Sequence, residues 1–173
     1  RGLALSNPVV VSPDLGNAKT ASLFAGLLGI PVAAGSKRRQ ADDKVVIDAI
    51  VGDVAGKTAI VLDDEIATGG SIIELMNKLQ DEGCFEASVA CTHGLFTGKA
   101  VERLRNHPSI TEVVTTDTVP APADWHELVV RSGGGLCTGA LARLHAGGTV
   151  SPLVRGRRPG TPTPAPRCPP PEM

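Results

Sequence analysis

The 173-residue chain has no tyrosine, one tryptophan and three phenylalanines. Proteins that hold single-stranded nucleic acid stack the bases on aromatic side chains, and this chain offers few of them. Its formal net charge is −1, so it also lacks the basic surplus that attracts a phosphodiester backbone. The composition therefore argues against a nucleic-acid partner.

Long apolar runs and a signal-peptide pattern are missing as well. No run reaches the ~20 residues that span a bilayer, and the N-terminus lacks the pattern of a secretory leader. We therefore expect no membrane partner and a cytoplasmic location. The chain begins at Arg1 rather than Met, which suggests a fragment of a longer protein.

The cysteines give no sign of a zinc site. They form no C-x-x-C pair, and no histidine lies at zinc-ligand spacing from them. We interpret them as small buried thiols in a reducing compartment. The four are Cys84, Cys91, Cys137 and Cys168.

Apolar runs with strand and helix periodicity alternate along most of the chain. Strands are predicted over residues 8–12, 31–34, 44–51, 58–62, 87–92, 112–116 and 128–130. Helices are predicted over residues 18–28, 70–82, 97–106 and 136–146. This alternation predicts a doubly wound α/β domain with a mainly parallel sheet and helices on both faces.

Two segments do not fit that alternation. Residues 35–43 are polar and without a pattern, so they are predicted to form a loop. Residues 156–173 are rich in proline and poor in apolar side chains, and cannot bury enough surface to offset the entropy of ordering. We therefore predict one domain over residues 1–155 and a disordered tail over 156–173.

The most informative stretch runs from Ala59 to Ser71. An apolar strand leads into two adjacent carboxylates, Asp63 and Asp64, and a Thr-Gly-Gly-Ser sequence then opens a helix. Backbone N–H groups at a helix N-terminus bind anions, and glycine lets the backbone approach them closely. The pattern indicates a site for a phosphate monoester beside acceptors for sugar hydroxyls; a solvated acidic turn is the alternative.

This stretch resembles the phosphoribosyl diphosphate loop of type I phosphoribosyltransferases and ribose-phosphate diphosphokinases. The resemblance implies that Asp63 and Asp64 bind the hydroxyls of ribose 5-phosphate. It also implies that the phosphate of this sugar is bound by Ala67, Thr68, Gly69, Gly70 and Ser71. Many members of these families carry Asp where this chain has Ala67, so one ribose-facing carboxylate is missing.

Three further segments resemble the diphosphokinases. Val10–Asn17 is similar to a strand and turn whose aspartate, here Asp14, helps to hold Mg²⁺ near the ribose. Ser36-Lys37-Arg38-Arg39 is similar to a catalytic loop, which implies that Lys37 and Arg39 act on the phosphates and that Arg39 also contacts ribose 5-phosphate. Cys91–Gly98 is similar to a Thr-His-Gly-x-Phe-Ser-Gly segment absent from simple phosphoribosyltransferases. Its His93 is either a ligand or a loop residue satisfied by backbone groups.

The resemblance covers residues 6–154 and matches the carboxyl-terminal half of the diphosphokinases. It implies transfer of the diphosphoryl group of ATP to the 1-hydroxyl of ribose 5-phosphate, with Mg²⁺ as cofactor and a homo-oligomeric full-length enzyme. The first domain, which supplies much of the ATP site, is absent, so the fragment is expected to be inactive alone. A purine phosphoribosyltransferase and an inactive, diphosphokinase-associated regulatory subunit remain alternatives.

Overall fold

A computed structural model of the chain describes residues 6–41 and 44–154. The chain forms two compact units, Arg1–Arg131 and Ser132–Met173. The proline-rich tail lies outside the described residues, so the predicted boundary between residues 155 and 156 stays a prediction. Among the described residues, every helix is too short or too polar to cross a bilayer.

The first unit is built on one sheet of seven strands in its described residues. The strands are β1 (Pro8–Ser12), β2 (Val32–Ala41), β3 (Lys44–Val51), β4 (Thr58–Ile66), β5 (Glu86–Gly94), β6 (Ile110–Thr116) and β7 (Val129–Arg131). Their spatial order is β3-β2-β1-β4-β5-β6-β7, and every neighbouring pair is parallel except β2 and β3. The predicted α/β fold with a mainly parallel sheet is confirmed.

Helices cover both faces of this sheet. They are α1 (Ala18–Leu28), α2 (Gly70–Asp81) and α3 (Ala100–Asn106). Val10 of β1 packs with Ala21 and Ala25 of α1, whereas its neighbours Val9 and Val11 belong to the larger core that includes α2 and α3. Since successive strand residues point to opposite faces, α1 lies on one face and α2 and α3 lie on the other.

The loop predicted over residues 35–43 is wrong for residues 35–41, which continue β2. The strand pairs antiparallel with β3, from Ala34 opposite Val51 to Ala41 opposite Lys44. Residues 42–43 lie outside the described residues. A polar segment without alternation looks like a loop, but hydrogen bonding to a neighbouring strand satisfies its backbone all the same. At Gly35 the strand passes so close to the β1 turn that a Cβ would lie 2.7 Å from the Pro13 oxygen.

Most other bounds agree with the sequence prediction to within a few residues. Helix α1 ends at Gly29, whose φ of 68° is left-handed and suits glycine. The third helix begins at Ala100 rather than at residue 97. The second unit contains α4 (Gly134–His145) and α5 (Ser151–Val154). Within it, a Cβ on Gly139 would lie 3.9 Å from Leu153, so α4 and α5 pack closely there.

Candidate functional site

A crevice opens between β1 and β4 at the carboxyl ends of the strands. Pairing of β1 with β4 ends at Val11 opposite Val61, but pairing of β4 with β5 continues to Ile66 opposite Gly94. The last residues of β4 therefore have a strand neighbour on one side only. The chain leaves β1 for β2 on one side of this crevice, and it leaves β4 for β5 on the opposite side. Open α/β sheets bind ligands at such a switch point.

The turn after β1 is held against the exposed side of β4. The side chain of Asn17 donates from Nδ2 to the Leu62 oxygen at 3.3 Å, and its backbone N–H donates to Asp14 Oδ1 at 2.9 Å. The Ser12 hydroxyl donates to the backbone carbonyl oxygen of Asp14 at 2.7 Å. These bonds place the half-buried Asp14 at the mouth of the crevice; its role as a magnesium ligand, which the resemblance implies, stays a prediction.

The paired carboxylates lie within β4 rather than after it. Asp63 is half-buried and Asp64 is exposed, and successive strand residues point to opposite faces. Each accepts a hydrogen bond from the next backbone N–H: Asp63 Oδ1 from Asp64 at 3.0 Å, and Asp64 Oδ1 from Glu65 at 2.9 Å. These local bonds restrict the orientation of both carboxylates near the carboxyl end of β4.

Cys91 lies on β5 opposite Asp63, and the charge of this carboxylate affects the pKa of the Cys91 thiol. Burial raises the pKa of the Cys91 thiol most, and the charge of Asp63 raises it further, although a hydrogen bond with the Thr115 hydroxyl opposes both. The thiol therefore stays neutral. The interpretation as buried thiols is confirmed for Cys84 and Cys91, but it is wrong for Cys137, which is exposed.

Residues 67–71, here called the phosphate loop, lead from β4 into α2. The N-cap of α2 is Gly69, whose φ of 71° is left-handed, and no side chain caps this end of the helix. Within the described residues, the N–H groups of residues 67–71 make no hydrogen bond. Five backbone donors are therefore available to an anion, at the positive end of a helix dipole.

The carbonyl groups at the start of the phosphate loop accept hydrogen bonds from the segment that follows β5 and from α3. Four donors engage three consecutive carbonyl oxygens. They are Leu95 N to Ile66 O at 3.0 Å, Phe96 N to Ile66 O at 3.1 Å, Thr97 N to Ala67 O at 2.8 Å, and Arg103 Nη1 to Thr68 O at 3.0 Å. The sequence predicted neither the three backbone bonds nor Arg103, since an arginine on an exposed helix face resembles any solvated charge.

His93 lies at the end of β5 and contacts hydroxyl groups rather than the backbone. Its Nδ1 is 2.9 Å from Thr118 Oγ1. The Thr116 and Thr118 hydroxyls lie 2.7 and 3.0 Å from the Thr92 oxygen, to which both donate. The Thr116 hydroxyl also lies 3.0 Å from Thr118 Oγ1, so the imidazole and the two hydroxyl groups form one hydrogen-bonded cluster at the end of β5.

The sequence comparisons identify the family to which the chain belongs. Residues 43–155 match the model of the phosphoribosyl synthetase-associated domain. That match covers most of the chain. The chain belongs to the phosphoribosyl synthetase-associated domain family.

Relatives of this chain are named ribose-phosphate pyrophosphokinases, which is another name for the diphosphokinases. A Streptomyces coelicolor protein, provisionally so named, is 49% identical over 158 residues, covering 90% of this chain and 50% of that protein. The Caldanaerobacter subterraneus enzyme is 42% identical over 147 residues, covering 84% of this chain and 46% of that protein. The chain therefore spans about half the length of these relatives.

A solved structure agrees with these relatives. The phosphoribosylpyrophosphate synthetase from Mycobacterium smegmatis has a TM-score of 0.72 against this chain and is 35% identical in sequence. The match covers 82% of this chain and 46% of that chain. The likeness to the carboxyl-terminal part of a diphosphokinase, predicted from four short segments, is thereby confirmed at the level of the family and the fold.

Lys37 and Arg39, the two cations to which the resemblance to the diphosphokinases assigns catalytic roles, lie on β2 rather than in a loop. In the β2–β3 pairing, the backbone of Lys37 lies opposite Ile47 and that of Arg39 lies opposite Val45. The hairpin extends from the strand that neighbours β1, at whose end Asp14 lies. Their roles toward phosphate stay predictions.

Proposed function

We propose that this chain binds ribose 5-phosphate at the phosphate loop as part of a ribose-phosphate diphosphokinase. That enzyme transfers the diphosphoryl group of ATP to the 1-hydroxyl of the sugar and releases AMP and phosphoribosyl diphosphate. The observation that carries the proposal is the open N-terminus of α2, with five available N–H groups beside the carboxylates of β4. A phosphate monoester joined to a polyhydroxylated sugar matches both features.

Each part of the ligand has a partner in this proposal. The phosphate accepts from the N–H groups of residues 67–71 and from the hydroxyls of Thr68 and Ser71. The ribose hydroxyls donate to Asp63 and Asp64, since ionised carboxylates accept hydrogen bonds only. Ala67 contributes its N–H but no carboxylate, so the ribose keeps two acidic acceptors on β4.

The residues present fit a magnesium ion that is shared with the substrate. Mg²⁺ binds one or two carboxylates and completes its octahedron with water and substrate phosphates. Asp14 supplies such a carboxylate at the crevice, and no group of three or more acidic, histidine or cysteine ligands occurs among the described residues. When bound, the ion would supply charge stabilisation to the phosphates of ATP.

Lys37 and Arg39 are proposed to act on those phosphates. Phosphoryl transfer spreads negative charge over phosphate oxygens, and nearby cations stabilise it. Lysine supplies a compact charge and arginine a bidentate fork, and in this proposal Arg39 also binds ribose 5-phosphate. ATP is the second substrate, and a homo-oligomer is the assembly that the resemblance implies for the full-length enzyme.

Calorimetry with residues 1–173 tests the binding proposal. We expect ribose 5-phosphate to bind more tightly than ribose or inorganic phosphate, because only the whole ligand engages both the loop and the carboxylates. Asp64→Asn should weaken the binding of ribose 5-phosphate more than that of phosphate. Asp48→Asn changes another exposed strand carboxylate, on β3, and should change neither affinity. Equal affinity for ribose and ribose 5-phosphate would contradict the proposal.

A turnover assay separates the competing functions. With ATP, Mg²⁺ and ribose 5-phosphate, we expect residues 1–173 to bind without releasing AMP, because the relatives are about twice as long. AMP release at about 1 s⁻¹ or faster would show that this chain alone carries a complete diphosphokinase site. A purine phosphoribosyltransferase would instead join a purine base to the phosphoribosyl group of phosphoribosyl diphosphate and release diphosphate. A regulatory subunit that has lost its sugar site would bind no ribose 5-phosphate.

A further inference from the structure

We propose that Arg103 is a positioning residue of the phosphate loop, which it acts on through the carbonyl of Thr68. The inference rests on the proposed function, because it explains how the loop is prepared for a phosphate. Arg103 lies on α3, outside the strand–loop–helix that carries the motif. Its Nη1 donates to the Thr68 oxygen at 3.0 Å.

The argument depends on the planarity of the peptide unit. In a trans peptide, the C=O of one residue and the N–H of the next point in opposite directions within one plane. A hydrogen bond that fixes the oxygen therefore also fixes the direction of the N–H. The bond from Arg103 to the Thr68 oxygen sets the direction of the Gly69 N–H.

The same reasoning applies to the two preceding peptides. Ile66 O is held by two backbone donors and Ala67 O by one, all from residues 95–97. These bonds orient the N–H groups of Ala67 and Thr68 away from the segment that follows β5. Hydrogen bonds to the preceding carbonyl groups thus set the directions of three successive N–H groups. Among these four donors, Arg103 is the only side chain.

Gly69 is the position where this support matters most. Its left-handed φ of 71° favours glycine, which has more conformational freedom than other residues and loses more entropy when it is fixed. A Cβ there would lie 3.6 Å from Leu104 and 3.7 Å from Ala100, so α3 packs directly behind the glycine. Arg103 is adjacent to Leu104, and its bond to the Thr68 oxygen holds the peptide that leads into this glycine.

Helix α3 also supplies a matched control. Arg105 lies two residues further on, is exposed like Arg103, and donates to the Asp124 oxygen at 2.8 Å and to Glu127 at 3.0 Å. It touches no residue of the phosphate loop in these contacts. Replacing either arginine with methionine keeps the aliphatic stem and removes the donors, but only Arg103→Met releases the Thr68 carbonyl.

Calorimetric titration of residues 1–173 with ribose 5-phosphate and with inorganic phosphate tests the inference. Arg103→Met should weaken the binding of both ligands about fivefold, which corresponds to the net contribution of one ordinary hydrogen bond. Arg105→Met should leave both affinities unchanged, although it loses two hydrogen bonds and should lower Tm at least as much. Arg103→Lys should recover part of the affinity, since lysine can also donate to the carbonyl.

An NMR measurement without ligand provides the readout that a merely stabilising role would not move. In Arg103→Met, the Gly69 amide should shift and exchange faster with solvent, whereas Arg105→Met should leave it unchanged. If the wild-type chain binds neither ligand, the proposed function fails and this inference fails with it. If the wild type binds and both methionine variants bind as tightly as the wild type, only the role of Arg103 is refuted. A lower affinity that follows Tm across all three variants would also refute it.

Discussion

The substitution Gly70→Ala separates the stability of the phosphate loop from its affinity for phosphate. Gly70 is the first residue of α2, and an added Cβ would meet only Thr68 Oγ1, at an ordinary contact distance of 3.7 Å. The free protein therefore has room for the methyl group. Alanine in a helix is about 0.5–1 kcal/mol more stable than glycine. For a chain of this length, Tm should rise by about 1–4 °C.

Affinity for phosphate should change in the opposite direction. In a helix the Cα–Cβ bond tilts toward the N-terminus, so the new methyl group points into the space where phosphate oxygens approach the N–H donors at about 3 Å. Displacing one charge-assisted hydrogen bond costs about 1.5–3 kcal/mol. The Kd for ribose 5-phosphate should therefore increase about 10- to 100-fold.

Thermal denaturation and calorimetry with ribose 5-phosphate measure the two effects on the same samples. Gly26→Ala is the control, because Gly26 lies within α1 and a Cβ there meets no atom within 4 Å. It should raise Tm by a similar amount and leave the Kd unchanged. If Gly70→Ala bound ribose 5-phosphate as well as Gly26→Ala did, the assignment of the phosphate to residues 67–71 would be wrong.

Three other predictions concern the scaffold. Burial lowers the pKa of His107, so the unfolded state binds more protons than the folded state. The free energy of unfolding should therefore fall as the pH drops below about 6.5. In denaturant unfolding, His107→Gln should lose less stability over the same pH range. Gly94→Ala should destabilise by about 1–3 kcal/mol, since a Cβ would lie 2.7 Å from Phe96 Cζ; an unchanged Tm would contradict this packing. With the other two cysteines changed to serine, buried Cys84 and Cys91 should react with a thiol reagent only after unfolding.

The sheet was predictable where each strand carries its own signal. Runs such as Pro8–Ser12 and Thr58–Leu62 are apolar because both faces of a central parallel strand are buried, and this pattern is legible without the fold. Residues 35–41 carry no such signal. They are extended because β3 returns beside them and pairs with their backbone, and hydrogen bonding of this kind leaves no trace in side-chain polarity.

The site was predictable in the same uneven way. A local sequence determines the geometry of a strand–loop–helix, so the motif from Asp63 to Ser71 identified the candidate phosphate loop. The turn at Asp14 reaches the same crevice because β1 and β4 are neighbours in the sheet. That adjacency was expected from the resemblance and not from the residues themselves. Arg103 carries no motif, and only its contact with Thr68 distinguishes it from Arg105.

The segment after β5 thereby gains a physical role that its sequence does not express. Its hydrogen bonds reach the phosphate loop through carbonyl oxygens, so none of its donors need touch a ligand. A phosphate that binds to oriented N–H groups does not have to order them first, and its affinity is higher by the entropy saved. Phe96, fixed edge-on against Trp125 with ring centroids 5.1 Å apart, ties the segment to the core. Substitutions that loosen this packing should therefore weaken phosphate binding from behind the loop, with the motif itself unchanged.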